Sequence, residues 1–409
     1  MVKTNCKRVA VTGIGIIAAI GNTLAEFTKN LFGGVCGIRQ ISLFDTTGYR
    51  CGTGGQVSQK HLGTQFAPKE IKRVSRCDLL GMSAAREAIS SHLPSLHLYD
   101  PDRIGVIMGG GAGGMLSWEK FKRSSYEKRH DMTPSQVLAS APCTLTDLIA
   151  GHYGFHGLRS TITTACSSSA NAIGYAYDMI RSGALDMAVT GGSEAFSELT
   201  FAGFHALKVM SPEPCRPFDE NRAGLSLGEG AGILILENLE QAQKRGATLY
   251  AELLGYALNS DAFHMTAPDP EGTGMRSVMA NALKNSGVGA DQVDYINAHG
   301  TATKMNDQVE ALAIRRVFGD QSRNEVSVSS TKSMVGHCLG ASGAIEAIAT
   351  VLALLHQQAP PTVHLDNPDS RCRLNHVANI SRKQRIRVAL SNSFAFGGNN
   401  TALVFKRAG

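Results

Sequence analysis

The chain has 409 residues, of which 43% are hydrophobic and 18% charged, and this excludes a disordered polymer of low apolar content. Its 44 glycines and 6% aromatics suit the tight turns and close helix–sheet contacts of an α/β fold, and its length suits two or three domains or two large halves. A net charge of +6, from 40 Lys+Arg against 34 Asp+Glu, is too weak to point to nucleic acid, though it leaves room for a basic patch facing an acidic protein.

In chain order, Lys3, Lys7 and Arg8 precede the apolar stretch Val9–Ile20. Gly13 and Gly15 interrupt it, so it reads as a first strand and turn, not as a signal peptide. Strands are expected at Arg8–Thr12, Ile104–Met108, Ser160–Thr163, Met187–Thr190, Ile233–Glu237, Tyr295–Ala298, Val326–Ser329 and Val388–Ser391. A closing strand is expected at Ala402–Phe405. Several of these runs are almost wholly apolar, as strands covered by helices on both faces require. Ala-rich helical stretches alternate with them, which predicts an α/β fold. The apolar run Ala347–Leu355 is too short to span a membrane.

Two segments share a design. Thr164–Ala172 and Gly336–Ala344 each follow a strand, carry a cysteine or histidine among small residues, and lead into an apolar helix. This hints at an internal duplication, with the division expected between 1–254 and 255–409. Nine cysteines, at 6, 36, 51, 77, 143, 166, 215, 338 and 372, show neither C-x-x-C spacing nor regular gaps. They argue for a reducing cytoplasm and against a disulfide framework or a zinc cluster.

Gly13-Ile14-Gly15-Ile16-Ile17-Ala18 matches a dinucleotide fingerprint but lacks its acidic partner about 20 residues on, so a structural turn is favoured. The run Gly109–Gly114 lacks the Lys-Ser/Thr of a phosphate loop and reads as a place of close backbone approach. Cys166 stands at a strand end where a helix starts, a position that favours thiolate. Alone it is equally well read as a buried structural cysteine, the role assigned to Cys36, Cys143 and Cys338.

Two histidine loops tip that balance. His299, in Asn297–Thr303, and His337, in Ser329–His337, each lie just beyond a strand C-terminus, where α/β folds gather ligands. His61, His92, His97 and His130 lie in polar stretches and read as surface residues. Glu346 sits in an apolar helix and needs a partner, and Lys332 is the expected one, orienting the histidine site. Ser391–Asn400 offers a glycine-flexed turn, at Phe396-Gly397-Gly398, whose N–H groups can serve an oxyanion hole.

Together these motifs resemble the β-ketoacyl-[acyl-carrier-protein] synthases, elongating condensing enzymes of the thiolase superfamily, and especially type II. The likeness extends through Cys215-Arg216-Pro217-Phe218-Asp219, Leu227–Gly232, Ser260–Thr266 and Pro360-Pro361-Thr362. It implies a thiolase-like fold of two similar halves in five αβαβα layers, and a decarboxylative condensation in fatty acid or polyene/type II polyketide elongation. Cys166 is implied as nucleophile, His299 and His337 as enolate stabilisers, with Lys332 and Glu346 in support. Phe396 is implied as gate and oxyanion donor. Thr266, Thr301, Thr303 and Gly397 are implied along the phosphopantetheine path. Lys69, Lys72, Arg73 and Lys208 match positions that meet acyl carrier protein.

No metal or separate cofactor is implied, and the partners are acyl carrier protein and a second subunit, either a copy of this chain or a chain-length-factor-like protein. Neither nucleic acid nor membrane is expected. The alternative is a partner subunit with little activity of its own. Departures from the family pattern stand at Lys304, usually Pro; at Asn221–Ser226; at Ala395, usually Gly; and at Asn399, usually Thr. They point to a specialised branch, and at Ala395 to a stiffer gate.

Overall fold

The computed structural model describes residues 6–59, 62, 63, 66, 71, 73–129, 137–319 and 325–408. Its main sheet has eleven strands: β1 (Val9–Ala18), β2 (Ile104–Gly109), β3 (Arg159–Ile162), β4 (Met187–Glu194), β5 (Gly230–Asn238), β6 (Ala251–Ser260), β7 (Tyr295–Asn297), β8 (Ser327–Ser329), β9 (Asn375–His376), β10 (Val388–Phe394) and β11 (Asn399–Arg407). Their order is β9-β8-β7-β10-β11-β6-β1-β5-β4-β2-β3.

That order contains one pattern twice. With the two-residue edge strand β9 set aside, each half has five strands, and numbered along the chain both run 3-2-4-5-1 across the sheet. In both, the second strand is parallel to the third and fourth, and the fifth is antiparallel to its neighbours. A short antiparallel pairing of Val9–Val11 with Ala251–Leu253 joins the halves. β6 crosses the expected division at 254/255, which places the change of half in the connection ahead of Ala251.

Period-two side-chain alternation builds the layers. On β5, Leu234 and Leu236 enter a central core while Ile233 and Ile235 enter an outer one. On β11, Leu403 and Phe405 face the centre and Ala402 and Val404 the opposite outer layer. Helix α1 (Arg76–Ser90) packs on β1 and β5 from outside, and α5 (Thr273–Ser286) covers β6 and β11. Between the half-sheets lie α3 (Ser168–Arg181) and α7 (Ser342–His356), each touching strands of both halves. The result is the αβαβα stack.

Helix α7 is buried from Ser342 through Leu354, so it is apolar around its whole circumference, as an enclosed helix must be. With the turn before it, Leu339–His356 is long and apolar enough to cross a bilayer, but it is the centre of the molecule.

Several expectations are corrected. Gly13 and Gly15 make no turn: β1 runs through both, because a Cβ on Gly15 would stand 1.9 Å from the Ala84 carbonyl oxygen of α1. His92 is not on the surface; it is 1% exposed and bonded to Glu237 at 2.8 Å. Cys143 is exposed and Cys36 half-buried, whereas Cys338 is buried as assigned. His61 and His130 lie outside the described residues. Set end to end, Thr164–Ala172 and Gly336–Ala344 pair Cys166 with Cys338, and the structure shifts that match by two residues. A three-residue turn precedes each central helix, at Ala165–Ser167 and Leu339–Ala341, so Cys166 corresponds to Gly340 and not to Cys338.

Candidate active site

Cys166 sits in the turn that starts α3, 6% exposed. The residue before it, Ala165, has φ of +51°, a left-handed conformation costly for a side-chain-bearing residue and held here by its surroundings. Thr164 N–H donates to Ser168 Oγ, and Ser168 Oγ donates to the Ala165 carbonyl, locking the turn. Burial pushes the thiol up to about 11, while the Lys332 charge and the Phe396 N–H pull it down. The helix start therefore does not make a resting thiolate; desolvation outweighs it.

His299 follows β7. Its backbone N–H and that of Gly300 donate to the Glu310 carboxylate at 2.8 and 2.7 Å, which pins the loop to α6 (Lys304–Phe318). Lys332, 1% exposed, donates to the His299 carbonyl at 2.6 Å and to its Nδ1 at 3.1 Å, and ion-pairs with Glu346. Burial raises Glu346 to about 7 against the pull of Lys332. His337 Nδ1 accepts the Leu339 N–H at 3.0 Å, with Ser342 Oγ also at 3.0 Å. Burial holds both imidazoles well below the usual histidine range, and Lys332 pushes the same way. Each ring is thus neutral, accepts at Nδ1, and keeps its proton on Nε2. The rings lie 5.4 Å apart, nearly perpendicular.

Phe396 opens the glycine turn after β10, with Gly397 and Gly398 at φ of +79° and +74°. Gly397 N–H donates to the Met265 carbonyl and Asp261 N–H to the Gly398 carbonyl, tying the turn to 261–265. Ala395 is extended (φ −103°, ψ 157°), so its Cβ imposes no strain there. The Phe396 ring stacks on Phe204 of α4 (Glu198–Ala206) at 5.8 Å.

One cavity of about 700 Å³ joins these groups. Its lining includes Cys166, His299, His337, Thr266, Thr301, Thr303, Phe396, Gly397 and Lys208. Lys332 and Glu346 stand behind it, and Arg73 is exposed elsewhere. Lys69 and Lys72 lie outside the described residues. A buried thiol, an N–H aimed at it and two neutral N–H donors facing one tunnel can carry acyl transfer to sulphur and stabilise an enolate.

Comparison with known proteins gives the family. The family described as "Beta-ketoacyl synthase, N-terminal domain" matches residues 6–242, and "Beta-ketoacyl synthase, C-terminal domain" matches 250–366. The chain belongs to the beta-ketoacyl synthase family. It is 42% identical over 410 residues to 3-oxoacyl-[acyl-carrier-protein] synthase 2 of Synechocystis sp., covering 98% of both chains. The Staphylococcus aureus (strain COL) protein of the same name is 39% identical over 408 residues, again 98% of both. Among solved structures, the ishigamide ketosynthase/chain length factor aligns with a TM-score of 0.92 at 34% identity, covering 99% of this chain and 100% of that one. A type II PKS acyl-carrier protein in complex with its ketosynthase, AntDE:AntF, contributes a chain with a TM-score of 0.90 at 30% identity, with 99% and 100% coverage.

The sequence reading of this synthase missed three supports. Glu310 and Asp307, one helical turn apart on α6, brace the His299–Thr303 loop; Asp307 accepts from Ala302 and Phe218 N–H. Arg222, 2% exposed, pairs with Asp369 at 2.8 Å and donates to the Thr303 and Lys304 carbonyls. The i,i+3 acidic pair was the signal available for the first two. Among the described residues, the buried oxygens Asn297 Oδ1, Glu346 Oε2, Ser391 Oγ and Ser393 Oγ have no hydrogen-bond partner, and Asn297 and Ser391 are register partners.

Proposed function

We propose that the chain is a β-ketoacyl-acyl-carrier-protein synthase, extending acyl chains held on Cys166 by decarboxylative condensation with malonyl-carrier protein, in fatty acid or polyene/type II polyketide elongation. The pairing of a buried thiol with two ε-protonated, neutral imidazoles in one tunnel carries this reading.

In the first half-reaction Cys166 sulphur attacks the acyl thioester, and the N–H groups of Cys166 and Phe396 hold the oxyanion. The C–S bond to the pantetheine sulphur breaks, and the thiol proton passes to that departing sulphur. Malonyl thioester then enters, and its carbonyl accepts from Nε2–H of His299 and His337. The C–C bond to the carboxylate breaks, carbon dioxide leaves, and the electron pair becomes the enolate. Its carbon attacks the acyl-Cys166 carbonyl; the new C–C bond forms, the C–S bond breaks, and Cys166 takes up a proton.

Thr301 and Thr303, whose hydroxyls lie 2.9 Å apart on the tunnel wall, meet the pantetheine amides. The partners are acyl carrier protein and a second ketosynthase-fold subunit, and the place is the cytoplasm, where nine free thiols remain reduced. Mass spectrometry after incubation with acyl-carrier protein tests the reading. Acylation confined to Cys166, followed by β-ketoacyl product on adding malonyl-carrier protein, is expected. An unacylated Cys166 in an intact dimer overturns it in favour of a partner subunit.

A further inference from the structure

The tunnel grades from buried to exposed along one loop. His299 and Thr301 are buried, Thr303 is half-buried and Lys304 is exposed. Two more exposed cations, Arg50 and Lys208, line the same cavity, and none of the three has an ion pair among the described residues. The other cation in the lining, Arg222, is buried and consumed by Asp369 and Asp307. Two acids share the lining: Asp261, which accepts from Asn400 and the Asp269 N–H, and the exposed Glu220. The outer end is therefore a site of excess positive charge.

Two backbone features single out these lysines. Lys304 is the first residue of α6, and its N–H donates to nothing among the described residues. The residue before it, Thr303, is extended at φ −81° and ψ 145°. That is the backbone a proline at 304 would require, so the position makes no demand for lysine on its own account. Lys208 closes α4 at φ +57°, where glycine is the relaxed choice. A strained lysine and an unforced one thus face the same opening. Lys304 is further steadied by Arg222, which donates to its carbonyl at 3.1 Å.

We infer that Lys304, with Arg50 and Lys208 beside it, binds the phosphodiester that joins the pantetheine arm to its carrier protein. This rests on the proposed function. From His299 to Lys304 is five residue steps, at most roughly 17 Å of extended chain. A pantetheine arm is long enough to bridge any separation within that bound, with its thioester at the histidines and its phosphate at the mouth. The charge contact then fixes the depth to which the thioester is delivered, so that binding energy remote from the reacting carbons positions them.

The test compares thioesters of pantetheine, of 4′-phosphopantetheine and of carrier protein, with native protein, Lys304→Pro and Lys304→Arg. The ratio of kcat/KM for phosphopantetheine over pantetheine thioesters is expected to fall about fivefold in Lys304→Pro. Lys304→Arg is expected to hold it, and added salt to shrink it in the native protein. An unaltered ratio in Lys304→Pro overturns the inference. So does a loss seen with carrier protein but not with free phosphopantetheine, which would assign Lys304 to the carrier's acidic surface. Calorimetric binding of phosphopantetheine against pantetheine reads the same preference without turnover. A protein that binds the phosphate form through Lys304 yet never acylates Cys166 would refute the proposed function and leave this site standing.

Discussion

Replacing Lys332 with Met tests the logic of the site most directly. The side chain keeps its bulk but gives up the bonds to the His299 carbonyl and Nδ1, and the pair with Glu346. Stranding one charge of a buried pair ordinarily costs about 3–5 kcal/mol. Here Glu346 already stands near 7 with its partner present, so without it the carboxyl takes a proton at neutral pH. The loss is then that of an unpaired buried polar group, about 1–3 kcal/mol, and the protein stays folded.

The larger effect falls on His299. With no cation facing Nδ1, the imidazole proton is free to move there, and Nε2 turns from donor to acceptor. Removing one preorganised donor from a developing oxyanion costs about 10²–10³ in rate. Carbon dioxide release from malonyl-carrier protein should fall by that factor, while acylation of Cys166 loses only the modest help of a nearby charge. Glu346→Ala is the companion variant and should impair turnover through the same lysine. Decarboxylation within about threefold of native in Lys332→Met, or an equal loss in both half-reactions, would refute the argument. A Glu346→Ala protein with fold and turnover intact would do the same.

Other expectations concern pH and support. Although burial favours the protonated form of Glu237, bonds from His92, Arg245, Thr12 and Tyr99 hold its carboxyl down to about 2, from an ordinary 4.5. A depressed carboxylate stabilises the fold above its unfolded pKa and loses that contribution as pH falls through its folded one. The advantage of the native protein over Glu237→Gln in urea unfolding should shrink by about 3 kcal/mol between roughly pH 5 and pH 2. With the Cys166 thiol near 11, iodoacetamide labelling followed by mass spectrometry should accelerate throughout the alkaline range, and a plateau near neutrality would contradict the burial argument. Glu310→Ala orphans two buried N–H groups and should cost about 2–4 kcal/mol in unfolding experiments, with kcat falling because His299 is no longer held.

The residues proposed to carry the chemistry stood out in the sequence because each lies in a polar or glycine-rich loop at a strand end, where a cysteine or histidine is out of keeping with its neighbours. Strands buried on both faces were legible as apolar runs. What escaped notice depended on distant partners. β6, with Glu252, Gly255 and Asn259 among its residues, has no clean period, and it is a strand because β1 and β11 flank it. His92 lies in a polar stretch, and only Glu237, 145 residues on, makes it an interior residue. Gly13 and Gly15 carry the usual mark of a turn; the reason for them is helix α1, far along the chain, pressing its backbone against theirs.

The repeated strand order also fits the proposal of a single nucleophile, Cys166. In the first half, Cys166 stands at the start of α3 beneath groups lent by the second half: His299 after its second strand, His337 after its third, and the Phe396 N–H after its fourth. Exchanging the halves places Gly340 at the start of α7, beneath Gly111 and Ala112 after β2 and beneath Glu194 at the end of β4. Glu194 accepts N–H donors from Gly111, Ala112 and Gly340 at 2.9–3.1 Å. The position equivalent to the proposed oxyanion site is thus filled by a carboxylate of the protein itself, raised to about 7 by burial. Glycine at 340 is required by that contact, since a Cβ there would stand 2.7 Å from the Glu194 carboxylate oxygen. Within the glycine run 109–114, which resembles a ligand loop in sequence, the Gly111 and Ala112 N–H groups are taken up by this carboxylate of the protein itself.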